Sequence, residues 1–347
     1  MVVRPVTLKL PDSFGRPLRN LRVSVTDRCN LRCQYCMPEE DYVWLPKGDV
    51  LSFEEIARVV DQFVALGVDK VRLTGGEPLL RSQLPVLIKM LSERPQLRDI
   101  AMTTNGVLLS KHAQDLKDAG LHRLSVSLDT LNPETFAMMT RRDDLERVHE
   151  GLRAAREVGF KNTKIDTVAI NGVNDGEFVD LIEFGRSAQA EVRFIEYMDV
   201  GGATRWRMDR VVTRNRILEI LSAKYGSITE VARVDAAPAD RFALPDGTTF
   251  GIISSVTQPF CATCDRARLT ADGMWFTCLY AEKGTDLRQI IRSGASDDEL
   301  RNKLIEVWAG RTDRGAEVRA GMTERAPLAE QANLRDNPHL EMHTRGG

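Results

Sequence analysis

Three thiols stand within eight residues in Cys29-Asn30-Leu31-Arg32-Cys33-Gln34-Tyr35-Cys36, at the spacing Cys-x3-Cys-x2-Cys. Three thiolates can hold a [4Fe–4S] cube and leave one iron without a protein ligand, so that a small molecule binds there and receives an electron. A fourth thiolate would fill that position. The competing reading is a structural zinc knuckle, or core cysteines packed as small hydrophobes. Zinc usually takes its ligands as two close pairs, whereas three thiols in one short loop fit a three-point clamp on a larger body.

A second triplet, Cys261-x2-Cys264-x13-Cys278, repeats the donor count far downstream. Zinc with a fourth ligand is the alternative there; a second three-thiolate cube with an open iron needs no further donor. Asp265-Arg266-Ala267-Arg268-Leu269 follows Cys264 directly. On a strand Arg266 and Arg268 share one face and can aim both guanidinium forks at one anion or ring edge. The two triplets account for all six cysteines, which reads as two metal sites in a reducing compartment rather than three disulfides.

These groups need a scaffold. From residue 21 short apolar runs alternate with longer amphipathic ones, the pattern of strand and helix units around a parallel sheet. Candidate strands are 21–26, 70–74, 99–103, 123–128, 163–170 and 191–198. Between them, Ser52-x-x-Glu55 is a capping box, followed by Ile56, Val59, Val60, Phe63 and Val64 at helical spacing until Gly67. Leu145, Val148, Leu152 and Ala155 repeat the pattern before Gly159, and Phe178, Leu181 and Ile182 before Gly185. Units of about thirty residues are βαβ steps. The expected fold is α/β, an incomplete (βα)6 TIM-like barrel with its ligand mouth at the strand carboxyl ends. Cys29, Gly75-Gly76-Glu77-Pro78, Asn105-Gly106 and Asp129 follow the first four strands in turn.

Beyond Gly201-Gly202 the rhythm changes. A helix is expected over 213–224, strand-like runs around the turn Pro245-Asp246-Gly247, and two more helices from 286 and from the capping box Ser296-x-x-Glu299. The expected division is an N-terminal segment 1–20 and the partial barrel 21–200. A C-terminal α+β extension 201–321, carrying the second cluster, would close the barrel, leaving a polar, irregular and mobile tail 322–347 ending in Gly346-Gly347.

Strand parity exposes a second feature. Lys70, Arg72 and Thr74 share one face and Val71 and Leu73 the other, and the apolar face must pack on helices. The basic face then points into a lumen that barrels normally fill with Val, Ile and Leu. Arg22, Thr103, Ser125, Ser127, Lys164 and Arg193 add polar groups from other strands. Buried cations are neutralised by carboxylates or by an anionic ligand, and a nucleoside triphosphate suits such a ring. The sequence has no Gly-x4-Gly-Lys-Ser/Thr loop, so the phosphates would be gripped rather than transferred.

The 347 residues carry a net charge of −2, with 42% hydrophobic and 28% charged residues. That balance argues against a broad nucleic-acid footprint. No run approaches the roughly 18 apolar residues of a membrane span, and residues 1–10 lack the layout of a signal peptide. The cytoplasm is the expected location.

Cys29, Cys33, Tyr35 and Cys36 resemble the signature of radical S-adenosylmethionine (SAM) enzymes, and Gly75-Gly76-Glu77-Pro78 resembles the second motif of that superfamily. With Leu21-Arg22, Asp27-Arg28-Cys29-Asn30, Met37-Pro38, Thr103-Thr104-Asn105-Gly106, Ser127-Leu128-Asp129, Phe194-Ile195-Glu196-Tyr197-Met198 and Cys264-Asp265-Arg266-Ala267-Arg268, nearly the whole chain resembles the GTP 3′,8-cyclase family of molybdenum cofactor biosynthesis. That resemblance implies two [4Fe–4S] clusters, on Cys29, Cys33 and Cys36 and on Cys261, Cys264 and Cys278, with SAM chelated by the open iron of the first. It implies SAM contacts at Tyr35, Gly76, Ser127 and Met198, and GTP contacts at Arg22, Lys70, Arg72, Thr103, Lys164, Arg266, Ala267 and Arg268. Arg193 is implied as a supporting cation. Arg266, Arg268 and Arg193 are the candidates for acting in ring closure itself. The implied reaction is hydrogen abstraction from C3′ of GTP by a 5′-deoxyadenosyl radical, then attack of C3′ on C8 of the guanine. A flavodoxin- or ferredoxin-type reductant and a downstream cyclic pyranopterin monophosphate synthase are the implied partners, and a homodimer is compatible with it. The terminal double glycine resembles that family's tail, expected to thread back toward the site. The rival readings are a radical SAM peptide maturase with an auxiliary cluster, and a zinc-stapled binding module for RNA.

Overall fold

The computed structural model describes residues 10–39, 42–233 and 235–346. Its strands are β1 (Asn20–Ser24), β2 (Lys70–Thr74), β3 (Asp99–Thr104), β4 (Arg123–Ser127), β5 (Lys164–Ala169), β6 (Glu191–Glu196), β7 (Thr229–Val231), β8 (Asp240–Ala243), β9 (Thr249–Ile253), β10 (Arg266–Leu269), β11 (Met274–Phe276) and β12 (Thr285–Asp286). All join one sheet in the order β12-β11-β10-β1-β2-β3-β4-β5-β6-β9-β8-β7. The first six pair in parallel, as expected for strands joined by helical crossovers. The sheet does not close, so the barrel is incomplete.

The extension does more than sit beside this core. β10 pairs in parallel with β1, Arg22 facing Arg268, and β9 pairs in parallel with β6. Eight strands in one direction therefore curve around the lumen, two of them from the last third of the chain. The remaining strands add antiparallel at each end.

The outer face is apolar and covered by helices. Leu21, Val23, Val71, Leu73, Ile100, Met102, Leu124 and Val126 are almost fully buried in the principal core. Helix Phe53–Ala65 starts at the capping box, Ser52 accepting from the Glu55 amide and Glu55 from the Ser52 amide, and buries Ile56, Val59, Val60, Phe63 and Val64. Removing such a cap costs about 1 kcal/mol. Leu145–Glu157 and Phe178–Ser187 are helical as the spacing predicts. Helices Leu84–Ser92 and Leu109–Asp118 were not singled out by the sequence, and neither has a side-chain N-cap. Helix Asp297–Ala309 opens at its own capping box. Arg58 reaches it through Asp297 (2.7 Å), and its Arg301 donates to Gln62 (2.7 Å), tying the extension to the first crossover helix.

The stretch from 322, expected to be irregular, contains the short helices Gln331–Asp336 and Met342–Arg345. His343, Thr344 and Arg345 are buried. Gly347, the second glycine of the expected terminal pair, lies outside the described residues, as do residues 1–9 of segment 1–20.

Candidate functional site

Every inward-facing group converges on one cavity of about 680 Å³. It runs through the lumen, and all six cysteines line it. Cys29, Cys33 and Cys36 lie on the loop after β1, at the carboxyl end of the strands. Cys261 opens a 3-10 turn, Cys264 precedes β10 and Cys278 follows β11. The β10–β11 pair is antiparallel, with Arg268 opposite Phe276, so residues before the first strand return beside those after the second. That hairpin explains the thirteen-residue gap between Cys264 and Cys278.

The first loop is held from three sides. Glu77 is fully buried, and its carboxylate accepts from the Leu79 amide (3.0 Å), Thr104 Oγ1 (2.7 Å) and the Asn105 amide (2.7 Å). It thereby pins the ends of β2 and β3 together, and burial pushes its carboxyl up to about 7. Backbone bonds from Gly76 to the Thr26 carbonyl (2.9 Å) and from Glu77 to the Arg28 carbonyl (2.7 Å) seat the Cys29 loop. A Cβ on Gly76 would overlap the Arg28 carbonyl, and one on Gly75 the Thr26 carbonyl. The glycines expected to admit a ligand are thus required by the neighbouring chain, although both line the cavity. On the far side Tyr35 donates to Asp129 (2.7 Å), which also accepts from the Val168 amide (2.8 Å).

Five of the six thiols are held toward their protonated form. Burial pushes Cys29 up to about 11, with Glu77 adding to it, and raises Cys33 and Cys36, which also repel the other thiols of the loop. In the second triplet burial raises Cys261 and Cys278. Burial also opposes ionisation of Cys264, but Arg266 and Arg311 outweigh it and hold that thiol below its ordinary value. Soft, largely buried donors are chemically suited to iron, whose positive charge supplies what the protein omits. Among the described residues no three His, Cys, Asp or Glu side chains are grouped as ligands of a single ion.

The lumen cations divide into two kinds. Lys70 stands 3.7 Å from Asp235, and Arg193 donates to Glu191 (3.0 Å), so carboxylates answer these charges. Arg22, Arg72 and Lys164 make no ion pair among the described residues; Arg72 donates instead to Thr103 (3.1 Å) and Ser125 (3.2 Å). Burial lowers Lys164 to about 7, with Arg193, Arg123 and Arg72 adding to the effect. It also lowers Arg22 and Arg72, and brings Arg268 down to about 10 with help from Arg266. Crowded cations of this sort are relieved by a polyanion. Arg266 stacks on Phe260 at 4.5 Å, and its Nε and Nη2 are buried without a partner among the described residues, as is Oδ1 of Asp166. Each such orphan fits a polar ligand.

Of the residues singled out by the sequence, Tyr35, Gly76, Ser127, Met198, Arg22, Lys70, Arg72, Thr103, Lys164, Arg193, Arg266 and Arg268 line the cavity. Ala267 does not: it is fully buried on the opposite face of β10, in the core, because alternate strand residues point to opposite sides. Sequence reasoning missed Asp166, whose parity with Lys164 would have revealed it. It also missed Arg311, for which no local pattern exists. The tail enters the same space. Arg345 stacks on Phe276 (4.2 Å) and donates to the Leu279 carbonyl (2.7 Å), while Arg22 and Arg268 donate to the Gly346 carbonyl.

Comparison with known proteins agrees with this geometry. Residues 23–185 match the Radical SAM superfamily and residues 190–317 match Molybdenum Cofactor Synthesis C. A protein of Mycobacterium bovis named GTP 3′,8-cyclase 3 is 54% identical over 340 residues, covering 97% of this chain and 90% of that protein. One of Mycobacterium tuberculosis named GTP 3′,8-cyclase 1 is 53% identical over 351 residues, covering 100% and 98%. Among solved structures, Streptococcus suis SuiB bound to S-adenosylmethionine aligns with a TM-score of 0.61 at 16% identity, over 86% of this chain and 66% of that one. That alignment speaks for the fold.

Proposed function

The chain belongs to the GTP 3′,8-cyclase family of radical SAM enzymes, and from that membership we propose that it converts GTP to (8S)-3′,8-cyclo-7,8-dihydroguanosine 5′-triphosphate, the first step of molybdenum cofactor biosynthesis. One observation carries the reading: two thiol triplets and a set of unneutralised cations line a single cavity. The residues fit a [4Fe–4S] cluster on Cys29, Cys33 and Cys36 with SAM beside Tyr35, Gly76, Ser127 and Met198, and a second cluster on Cys261, Cys264 and Cys278. When bound, the first cluster and SAM supply the carbon radical that takes hydrogen from C3′ of GTP, and the second cluster's open iron supplies a Lewis acid for the guanine edge.

The protein's own work is positioning. A primary carbon radical reacts with most C–H bonds near it, so selectivity comes from near-attack geometry and exclusion of water. Arg22, Arg72 and Lys164, free of carboxylate partners among the described residues, would grip the triphosphate, with Lys70 and Arg193 in support. Thr103, already fixed by Arg72, would orient the ribose side. Arg266, with two unused donors, and Arg268 would hold the purine and act in ring closure. We further infer that 21–200 performs the radical chemistry, that 201–321 carries the second cluster and closes the barrel, and that the tail 322–347 threads back toward the site. A flavodoxin- or ferredoxin-type protein would supply two electrons, one for SAM cleavage and one that, with a proton, quenches the nucleotide radical left when C3′ joins C8; a cyclic pyranopterin monophosphate synthase would consume the product, and six unpaired thiols suit the reducing cytoplasm. Sedimentation distinguishes a monomer from the homodimer that the resemblance allows.

The test is anaerobic incubation with dithionite, SAM and GTP, followed by mass analysis of the nucleotides. A cyclised triphosphate together with 5′-deoxyadenosine is the expected result. Deoxyadenosine without any change in GTP would overturn the substrate, and iron-free, colourless protein after reconstitution would overturn the chemistry.

A further inference from the structure

Arg311 lies just beyond helix Asp297–Ala309, with its side chain 1% exposed. Its Nη2 stands 3.4 Å from Cys264 Sγ, and its Nη1 donates to the Cys264 carbonyl at 2.9 Å. Asp12, from the N-terminal segment, holds the same Nη1 at 3.2 Å, and Trp308 supports the guanidinium at 4.6 Å. Asp12 is in turn held by Arg16 (2.6 Å), which donates to the carbonyls of Cys261 (3.0 Å) and Asp313 (2.8 Å). Two arginines and a carboxylate, all buried, thus girdle the turn from Cys261 to Cys264. Burying this set is costly unless each charge is used, and fixing a loop needs no cation aimed at a sulfur.

No cation among the described residues donates to a sulfur of the first triplet, although Arg32 donates to the Cys29 carbonyl at 2.8 Å. Among the described residues Cys29 Sγ accepts from the Leu31 amide (3.5 Å) and from the Asn105 amide group (3.9 Å), both neutral donors. Hydrogen bonds and positive charge at a ligand sulfur withdraw electron density and favour the reduced cluster. A guanidinium does so more strongly than a neutral amide.

We propose that Arg311 is a positioning residue that raises the reduction potential of the cluster held by Cys261, Cys264 and Cys278, through a charge-assisted hydrogen bond to Cys264 Sγ. This rests on the second-cluster reading above. The two clusters of the enzyme are then electronically unequal by construction, the purine-side one being the easier to reduce.

The experiment uses the full chain with Cys29→Ala, Cys33→Ala and Cys36→Ala, so that only the second site takes up iron, reconstituted without oxygen and titrated potentiometrically by electron paramagnetic resonance. Arg311→Met is expected to lower the reduced-to-oxidised ratio about tenfold at a fixed poise, equivalent to 59 mV for a one-electron couple, with about four irons retained. Arg311→Lys keeps the charge but loses the fork and should fall between. An intact cluster whose potential is the same in all three proteins overturns the proposal. If Arg311→Met takes up no iron, Arg311→Lys decides: a lowered potential supports the proposal, and an unchanged one reduces Arg311 to a structural tether. Absence of iron with Arg311 in place would instead show that the second-cluster reading itself had failed, and this inference with it.

Discussion

Arg268 donates to the carbonyl of Gly346, so a residue at the very end of the chain is gripped inside the lumen by a cation from β10. Arg22 on the adjacent strand reaches the same oxygen at 3.3 Å. Gly346 has φ +68°, and a Cβ there would overlap the Thr74 side chain.

Gly346→Ala therefore unseats the tail. The left-handed backbone alone costs about 1 kcal/mol for alanine, and the overlap adds to it. Cyclisation should fall roughly fivefold or more while SAM cleavage continues, and limited proteolysis should cut the tail faster. Unchanged proteolysis and turnover would mean that the seat does not matter.

Cys33→Ala and Cys264→Ala should each halve the iron, from about eight to about four per chain. Only the first should abolish reductive SAM cleavage. Zinc retained in stoichiometric amount at Cys264 would favour a structural role for the second triplet.

Replacing Arg266 and Arg268 together by alanine removes two charged donors from the purine side. At about 1.5 kcal/mol each, cyclisation should drop on the order of a hundredfold, with uncoupled formation of 5′-deoxyadenosine preserved. Normal accumulation of the cyclised nucleotide would remove them from the site.

Lys164 is held at about 7 by burial and neighbouring cations, so near neutrality much of it is uncharged before ligand arrives. A triphosphate favours the ammonium and raises its pKa on binding, so affinity is full below pH 7 and weakens above it, approaching tenfold per unit. Calorimetry at pH 7.5 in two buffers of different ionisation enthalpy should register proton uptake. Lys164→Arg, which does not titrate, should flatten the dependence; an identical pH profile in that variant would exclude Lys164 as its source.

Much of this was legible in one dimension because it is local. Thiol spacing, the capping boxes at Ser52 and Ser296, and the alternation of Lys70, Arg72 and Thr74 against Val71 and Leu73 are all set within a few residues. What escaped was decided across the chain. Glu191 shares a face of β6 with Arg193 and could have been read as its partner by the same parity, but nothing near Lys70 announces Asp235. Nothing local to Gly76 announces the Arg28 carbonyl packed behind it, a second demand for glycine beside the expected SAM contact, whereas the turn of Ala267 into the core, away from its flanking arginines, follows from strand parity alone. Helices Leu84–Ser92 and Leu109–Asp118 lack the side-chain caps that mark Phe53–Ala65. The partners of β1 and β6 lie beyond any local signal, since parallel pairing carries no turn to betray it.

That pairing also dictates how the molecule comes into being. β1 leaves the ribosome early, but its neighbour β10 is made about 240 residues later, so a nascent chain carries a bare, hydrogen-bond-hungry edge for most of its synthesis. Such long-range closure is slow and invites association with other chains. The cavity that both sets of cysteines line is therefore complete only once β10 has been made.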